Sequence, residues 1–275
     1  MRLTRIAFIG RAERFSPNSA DKDTAILTEV NRHLLLRGYR CYDIWQEDDG
    51  RARANWTEEA DVYVSMGRQQ DTLNWLSDRE RHGKVVVNST ASVSMCNKRK
   101  VLMERMETAG IPVPPRTGSD GYWVKRGCGS SETAQDVVFA DNYEEACRRQ
   151  EEMAARGIAT TDVRAHVRGD LIKCYGICGT EFFRCYYPGD DGEWKFGDER
   201  RNGRPQHYGY NAAELQATIE KAAELTGLTV YGADCIIKQD GQPVLIDLND
   251  WPSFSRCRKE AARAIADEIG RMIER

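Results

Sequence analysis

Residues 232–256 read GADCIIKQDGQPVLIDLNDWPSFSR, and this pattern predicts a tight β-hairpin. Asp240 and Gly241 separate two apolar runs, and an Asp-Gly pair in that position is a strong short-range signal for a two-residue hairpin turn. Such a turn places Asp234 directly opposite Asp247 on the neighbouring strand, with their Cβ atoms roughly 5 Å apart. The hairpin is therefore expected to bring two carboxylates together.

Side chains alternate between the two faces of a strand, so this register divides the hairpin into an apolar and a polar face. The apolar face, predicted to lie on a core, consists of Cys235, Ile237, Val244, Ile246 and Leu248. Asp234, Asp247 and Asn249 share the other face. Two opposed carboxylates repel each other unless a cation lies between them, and an all-oxygen ligand set suits Mg²⁺ or Mn²⁺ rather than zinc.

Mg²⁺ bound by few protein ligands usually completes its shell with waters and substrate phosphates. The polar face therefore predicts a bound nucleotide. The alternative is a solvent-facing hairpin with scattered acidic residues.

Composition narrows the class of protein. The chain has 275 residues, enough for one large domain or about two or three lobes with their own cores. A net charge of −3 gives no basic field that would attract nucleic acid or a membrane surface. No apolar run approaches the length of a membrane span, and no signal peptide is expected. Nine cysteines without a Cys-x-x-Cys pair indicate reduced thiols in a cytoplasm and argue against a zinc site.

The first 90 residues alternate short apolar strands with amphipathic helices, which predicts a small α/β unit around a parallel sheet. Strands are predicted at 6–10, 40–44, 62–66 and 85–87, and helices at 21–36 and 70–81. Ligands of open α/β sheets bind outside the carboxyl ends of the strands. The loop 11–18, which follows the first strand, is therefore either a substrate surface or an ordinary surface loop.

A second unit begins with a helix that runs from Ser92 or Ser94 to 108 and carries Lys98 in its first turns. The strand 122–126 contains Lys125 and leads into a glycine- and serine-rich loop. A return strand at 136–139 and a helix at 142–156 follow. Such a loop offers backbone N–H groups and hydroxyls to phosphates, although an ordinary hairpin turn explains the pattern as well. The residues of the loop that are candidates for phosphate binding are Gly127, Gly129, Ser130 and Ser131.

The last third of the chain predicts strands at 161–167, 170–178 and 181–187, a helix that ends at Gly227, the acidic hairpin and a final helix at 258–273. The loop 188–211 lacks periodicity and is locally basic through Arg200, Arg201 and Arg204. A loop of this length in a compact domain is usually functional or mobile, so it is either a lid over an anionic substrate or a solvated loop.

Over nearly its whole length the chain resembles the ATP-grasp superfamily. The resemblance rests on the order and spacing of Lys98 in Cys-Asn-Lys, the Gly-Ile-Pro-Val-Pro segment 110–114, Lys125 before the glycine loop, and Asp247-Leu-Asn249 followed by Pro252. It implies a mixed α/β and α+β protein, namely an ATP-grasp fold with an N-terminal Rossmann-like domain. The implied domains are 1–90 for the substrate domain, 91–168 for the central lobe and 169–275 for the C-terminal lobe.

The resemblance also assigns roles. It implies ATP, with Mg²⁺ or Mn²⁺ held by Asp234, Asp247 and Asn249. Lys98 and Lys125 match nucleotide-contacting lysines. The segment near 163–167 matches the hinge that holds adenine, which makes Ala165, Val167 and Asp170 binding candidates. Lys173, Arg184 and Arg201 are the candidate catalytic cations.

Most members of the superfamily are ligases that phosphorylate a carboxylate, which an amine or thiol then attacks. The inositol trisphosphate kinases also resemble this chain, through Asp247-Leu-Asn249 followed by Trp251-Pro252 and through Lys173. Their substrate is highly anionic, and the residues that could bind such a substrate here are Arg200, Arg201, Arg204, Arg256 and Arg258. A catalytically inactive nucleotide-binding module is the third alternative. The expected partner is an anionic small-molecule or peptide acceptor, and a homodimer is left open.

Overall fold

A computed structural model describes residues 3–16, 19–48, 59–129, 133–191 and 201–274. Its strands are β1 (Arg5–Gly10), β2 (Arg40–Gln46), β3 (Val62–Ser65), β4 (Val85–Val87), β5 (Tyr122–Arg126), β6 (Val137–Ala140), β7 (Thr161–Ala165), β8 (Asp170–Ile177), β9 (Phe183–Tyr186), β10 (Val230–Ile237) and β11 (Pro243–Asp250). The helices are α1 (Ala20–Leu36), α2 (Gln70–Arg81), α3 (Thr90–Cys96), α4 (Arg99–Thr108), α5 (Tyr143–Ala155), α6 (Pro188–Asp191), α7 (Ala212–Thr226) and α8 (Arg258–Glu274). Within these ranges, none of the helices combines the length and apolar composition of a membrane span.

The first four strands form the predicted parallel sheet, in the order β2-β1-β3-β4. Ile6 and Phe8 of β1 pack in one core with α1 and α8, whereas Ala7 and Ile9 pack in a second core with Leu76 of α2. A strand with both faces covered reads as a continuous apolar run, which is the pattern of a parallel sheet between two helical layers. The prediction of a three-layer α/β unit is confirmed.

The other strands form two antiparallel sheets, β6-β5-β7 and β11-β10-β8-β9. Helix α5 covers the smaller sheet through Ala146 and Met153, and α7 and α4 cover the larger one. Asn142 caps α5, and Gly227 ends α7 with a left-handed backbone, as the sequence predicts. The predicted combination of α/β and α+β architecture is confirmed.

The apolar cores extend across the predicted domain ranges. Each sheet lies within one range, but α8 packs on α1, with Trp251 and Phe254 in the same core. Helix α4 packs under the C-terminal sheet through Leu102 and Met106. The N-terminal unit and the C-terminal hairpin are therefore held together by buried apolar surface.

The single helix predicted over 92–108 is two helices. Ser89 caps α3 by accepting from the amide of Ser92, and Lys98 is the residue before α4 and not a residue within it. The junction is fixed from outside: the amide of Gly129 donates to the carbonyl of Asn97 at 2.7 Å, and the amide of Lys100 donates to the carbonyl of Gly127 at 3.1 Å. These contacts belong to the tertiary structure and leave no local signal in the sequence.

The hairpin turn is one residue longer than predicted. Gly241 has φ +83° and donates to Lys238, and Lys238 donates to Gln242, so the loop is 239–241. Pairing at this end is therefore shifted by one residue, and Ile237 lies opposite Pro243 and not Val244. This geometry is typical of a type I turn followed by a glycine in the left-handed region.

An irregularity between Asp234 and Cys235 restores the predicted register, so Asp234 does lie opposite Asp247. The predicted apolar face is wrong in two of its members as a result. Leu245, and neither Val244 nor Ile246, packs with Cys235 in the core, while Ile246 faces the cavity described below. A β-bulge of this kind re-aims the side chains that follow it.

Candidate active site

A cavity of about 780 Å³ lies where the three sheets meet. The loop after β1, the α3–α4 junction, β5, the segment after β7, and strands β8, β10 and β11 all contribute to its walls. The predicted site residues that line it are Lys125, Gly129, Ala165, Val167, Lys173, Asp234, Asp247 and Asn249. The fold thus gathers most of the predicted site from strands that are far apart in the sequence.

The acidic part of the cavity is the polar face of the hairpin. Asp234 and Asp247 are opposed in the β10–β11 register, and Asn249 lies two residues further along β11. Burial acts to raise the pKa of Asp247, yet the charges of Arg99 and Lys125 hold that pKa below its ordinary value. Two carboxylates and an amide oxygen on one face fit a hard divalent cation. Among the residues that the structure describes, no group of three carboxylate, histidine or cysteine side chains is arranged to hold a metal ion. Water and phosphate oxygens would therefore complete the shell of a cation bound here.

Lys125 lies beside these carboxylates at the end of β5. Its Nζ donates to the carbonyl of Ile246 at 3.3 Å. Burial and the neighbouring Arg99 lower the pKa of Lys125, against the opposite effect of Asp247 and Asp234. A compact ammonium in this position can neutralise a phosphate.

Of the four predicted phosphate-binding residues in the glycine loop, Gly129 lines the cavity and Gly127 does not. Gly129 lines the cavity with φ +83°, which favours glycine. Gly127 does not line it, because its amide donates to Thr160 at 2.8 Å and its backbone packs against β7. The predicted phosphate ligands Ser130 and Ser131 lie outside the described residues.

The last residue of β7, Ala165, and the two residues that follow it, His166 and Val167, line the cavity. The amide of Ala165 donates to Pro115 and that of His166 to Gly121, both at 2.8 Å. The indole Nε1 of Trp123 lies 3.1 Å from Nδ1 of His166. Trp has only a donor there, so His166 accepts at Nδ1 and its ring is neutral. Burial lowers the pKa of His166, in agreement with a neutral ring.

Apolar side chains from helix α4 and from both antiparallel sheets line the cavity. They are Met103, Val137, Leu171, Ile236, Ile246 and Leu248. Together with the backbone near Ala165 and Val167 they form an apolar slot of the kind that accepts a planar base.

Besides Gly127, four predicted site residues are not brought to the cavity. Lys98 is exposed at the α3–α4 junction. Arg184 forms an ion pair with Glu260 of α8, with nitrogen–oxygen distances of 3.0 and 2.6 Å. Arg201 lies over the ring of Phe139, 3.4 Å from its centroid.

Asp170, the fourth, is buried and accepts from the amides of Gln206 and Tyr208 at 2.7 and 2.9 Å. It therefore anchors the second part of the predicted lid and does not contact the main cavity. Residues 192–200, which include Arg200, lie outside the described residues.

The N-terminal unit supplies the remaining wall, as the position of loop 11–18 suggested, although Pro17 and Asn18 lie outside the described residues. The side chain of Arg11, at the carboxyl end of β1, is 8% exposed; it donates to the carbonyl of Trp251 at 2.7 Å and lies 3.5 Å from Asp23. Arg68, just beyond β3, forms an ion pair with the buried Asp250.

Sequence reasoning included Arg11 only as part of loop 11–18, and it missed Arg68, Asp250 and Arg99. Arg68 follows a parallel strand, so the rule that ligands meet the carboxyl ends of such strands was a usable signal for it as well. Arg99 had no such signal, because its position depends on how the α3–α4 junction packs.

The cavity is electropositive although the chain carries a net charge of −3. Eight basic and five acidic side chains line it. The basic ones are Arg11, Lys22, Arg68, Arg99, Lys125, Arg164, Lys173 and Arg256. This excess suits anionic ligands such as a triphosphate and an acidic acceptor.

Neither a protein-family model nor a curated protein sequence matches this chain. Solved structures do match. A D-alanine–D-alanine ligase from Bacillus anthracis is 11% identical, with TM-score 0.64 over 98% of this chain and 96% of that one. A RimK domain ATP-grasp protein from Sphaerobacter thermophilus is 15% identical, with TM-score 0.65 over 96% and 98%. The D-cycloserine synthetase DcsG is 14% identical, with TM-score 0.62 over 96% and 99%. At such identities the likeness concerns the fold, and it extends over almost the whole chain.

Proposed function

Because the chain has the ATP-grasp fold, we propose that it is an ATP- and Mg²⁺-dependent ligase. It would activate the carboxylate of a small molecule or peptide as an acyl phosphate, which an amine or thiol then attacks. The observation that carries this proposal is the single cavity in which Lys125 and the pair Asp234 and Asp247 face the buried cations of the N-terminal unit. Several of the matching solved structures are named as ligases, and one of them, from Bacillus anthracis, is described as complexed with ATP.

Each part of the cavity has a role under this proposal. The apolar slot would hold the base, and Lys125 with the backbone at Gly129 would orient the phosphates. Asp234, Asp247 and Asn249 would hold Mg²⁺, which supplies neutralising charge to the phosphates when bound. Lys173 lies opposite Asp234 on β8 and faces the same space. Positioned cations of this kind stabilise the charge on a transferring phosphoryl group.

The acceptor would bind against the N-terminal unit. Phe15, Ser16, Lys22 and Arg256 line that end of the cavity together with Arg11. No covalent nucleophile is needed, because an acyl phosphate is formed by direct attack of the substrate carboxylate on ATP.

The positions of the arginines favour a ligase over an inositol-phosphate kinase. Of the arginines available to a highly anionic ring, Arg201, Arg204 and Arg258 do not line the cavity, and Arg256 does. Arg11 and Arg68 do line it, but Asp23 and Asp250 already balance their charges. The remaining excess of positive charge suits a carboxylate beside a triphosphate better than a ring that carries several further phosphates.

The test is turnover with ATP, Mg²⁺ and pools of carboxylic acids and amines, with ADP and phosphate measured separately. If the proposal is correct, phosphate appears only when an acid and an amine or thiol are both present. A carboxylate labelled with ¹⁸O then transfers one labelled oxygen to the phosphate. Phosphate retained on a polyol identifies the kinase instead, and ATP binding without any turnover identifies an inactive module. Asp247→Ala serves as the matched negative control.

A further inference from the structure

The metal-binding carboxylate of the proposed site is held by a residue that no prediction assigned. The NH2 group of Arg99 lies 3.3 Å from Oδ1 and 3.1 Å from Oδ2 of Asp247. Its NH1 group donates to the carbonyl of Arg126 at 3.0 Å. Both side chains of the ion pair are largely buried, with 15% and 22% exposure. Arg99 therefore joins the start of the glycine loop to the acidic face of the hairpin.

Hydrogen bonds to the glycine loop hold the backbone on both sides of Arg99. The hydrogen bonds from Gly129 to Asn97 and from Lys100 to Gly127 hold the α3–α4 junction against the loop. The Nε of Arg99 is buried and, among the residues that the structure describes, has no hydrogen-bond partner. The contact with Asp247 thus depends on the far end of the side chain, which can change partner while the backbone stays in place.

A divalent cation and this guanidinium compete for the same oxygens. A carboxylate that ligates Mg²⁺ must direct at least one oxygen at the ion, and both oxygens of Asp247 lie within reach of Arg99. Asp234 lies across the hairpin and Lys125 beside it, so the competition takes place where a triphosphate would bind.

We propose that Arg99 regulates the metal site: in the nucleotide-free protein it occupies Asp247, and it passes to the phosphates when nucleotide and metal bind together. This inference rests on the proposed function. It implies that the protein without nucleotide binds divalent metal weakly. It also implies that one side chain serves first as a competitor of the metal and then as a ligand of the phosphates.

The first experiment measures Mn²⁺ binding to the nucleotide-free protein by electron paramagnetic resonance, so activity is not required. Arg99→Lys keeps the positive charge, but one ammonium cannot contact Asp247 and the carbonyl of Arg126 in the way a guanidinium fork does. We expect Arg99→Lys and Arg99→Met each to bind Mn²⁺ about fivefold more tightly than the wild type, the factor expected when a partly buried ion pair no longer competes. Arg105→Met, an exposed site on the same helix, is the control and leaves the affinity unchanged.

Each possible result of the Mn²⁺-binding experiment has a different meaning. An increase in Arg99→Met alone would mean that Arg99 acts only through its charge, which overturns the proposal. Equal Mn²⁺ affinity in all variants also overturns it and leaves the metal site standing. If Mn²⁺ binds to none of the proteins, the metal assignment of the proposed function fails, and the role of Arg99 fails with it. A thermal unfolding scan of each variant shows that the comparison is between folded proteins.

The second experiment tests the transfer of Arg99 to phosphate, using ATP binding in EDTA by calorimetry. Asp247→Asn releases Arg99 and is expected to tighten metal-free ATP binding. If Arg99 moves to the phosphates, most of that gain disappears in the double variant Arg99→Met/Asp247→Asn, because the cycle isolates the coupling between the two residues. A gain that is undiminished in the double variant contradicts the second half of the proposal.

Discussion

The ion pair between Arg68 and Asp250 connects the N-terminal unit to strand β11, and its removal should destabilise the fold measurably. The Nε of Arg68 lies 3.3 Å from Oδ2 of Asp250, and its NH2 group contacts both Oδ1 and the backbone carbonyl. The carboxylate is 1% exposed and the arginine side chain 12%. Arg68→Met removes the cation and leaves a buried carboxylate next to Asn249.

The size of the expected loss in unfolding free energy follows from the burial of the Arg68–Asp250 pair. Breaking a buried pair by removing one partner typically costs about 3–5 kcal/mol, since the remaining charge stays desolvated. Arg11 remains close to Asp250, with its NH2 group 3.4 Å from the carbonyl, so the lower end of that range applies. A loss of about 3 kcal/mol corresponds to a fall in the unfolding midpoint of roughly 6–12 °C in a protein of this size.

Differential scanning fluorimetry and urea titration measure this loss. Arg32→Met is the matched control, because Arg32 also contacts a carboxylate, at 2.6 Å from Glu29, but is half exposed. Exposed pairs of this kind contribute at most about 1 kcal/mol. Asp250→Asn in the Arg68→Met background should restore most of the stability, because an amide is far cheaper to bury than a charge. If Arg68→Met is no less stable than Arg32→Met, or if the double variant recovers nothing, the reasoning is wrong.

Asp247→Ala is expected to abolish Mg²⁺-dependent ATP turnover. It should also lower the free energy of unfolding by about 1–3 kcal/mol, because Arg99 and Lys125 lose their common carboxylate. Full turnover in this variant would remove Asp247 from the proposed metal site. Lys125→Ala should weaken ATP binding at least tenfold by calorimetry, whereas the exposed Lys98→Ala should change it little, and equal losses would return Lys98 to the nucleotide site. The pKa of His166 is lowered by burial, so the unfolded chain binds its proton more readily. The stabilisation from neutral His166 is then complete above about pH 6.5 and is lost as pH falls through the lowered pKa of the folded protein. His166→Gln should therefore flatten the dependence of the free energy of unfolding on pH in that interval. An unchanged pH dependence would contradict the neutral assignment.

Local signals in the sequence predicted most of the secondary structure. The period of apolar residues located α1 and α2, Asn142 marked the start of α5, and Gly227 marked the end of α7. Each of these signals acts within a few residues of its own element, so neighbouring parts of the chain do not alter it. The order of these elements predicted the N-terminal α/β unit, and the resemblance of the motifs to the ATP-grasp superfamily supplied the fold class.

The sequence also predicted the acidic hairpin with Asp234 opposite Asp247, but the fold reaches this pairing by another route. A three-residue turn shifts the pairing by one residue, and the bulge after Asp234 restores it. The tertiary structure decided which other residues meet them. It placed Leu245 and not Val244 beside Cys235, through a bulge that has no sequence signature, and it brought Arg99 and not Lys98 to the cavity. Arg184 and Asp170 found partners elsewhere in the fold for the same reason. Periodicity and capping describe an element, whereas a site is made by contacts between elements, and those contacts depend on how the lobes pack against each other.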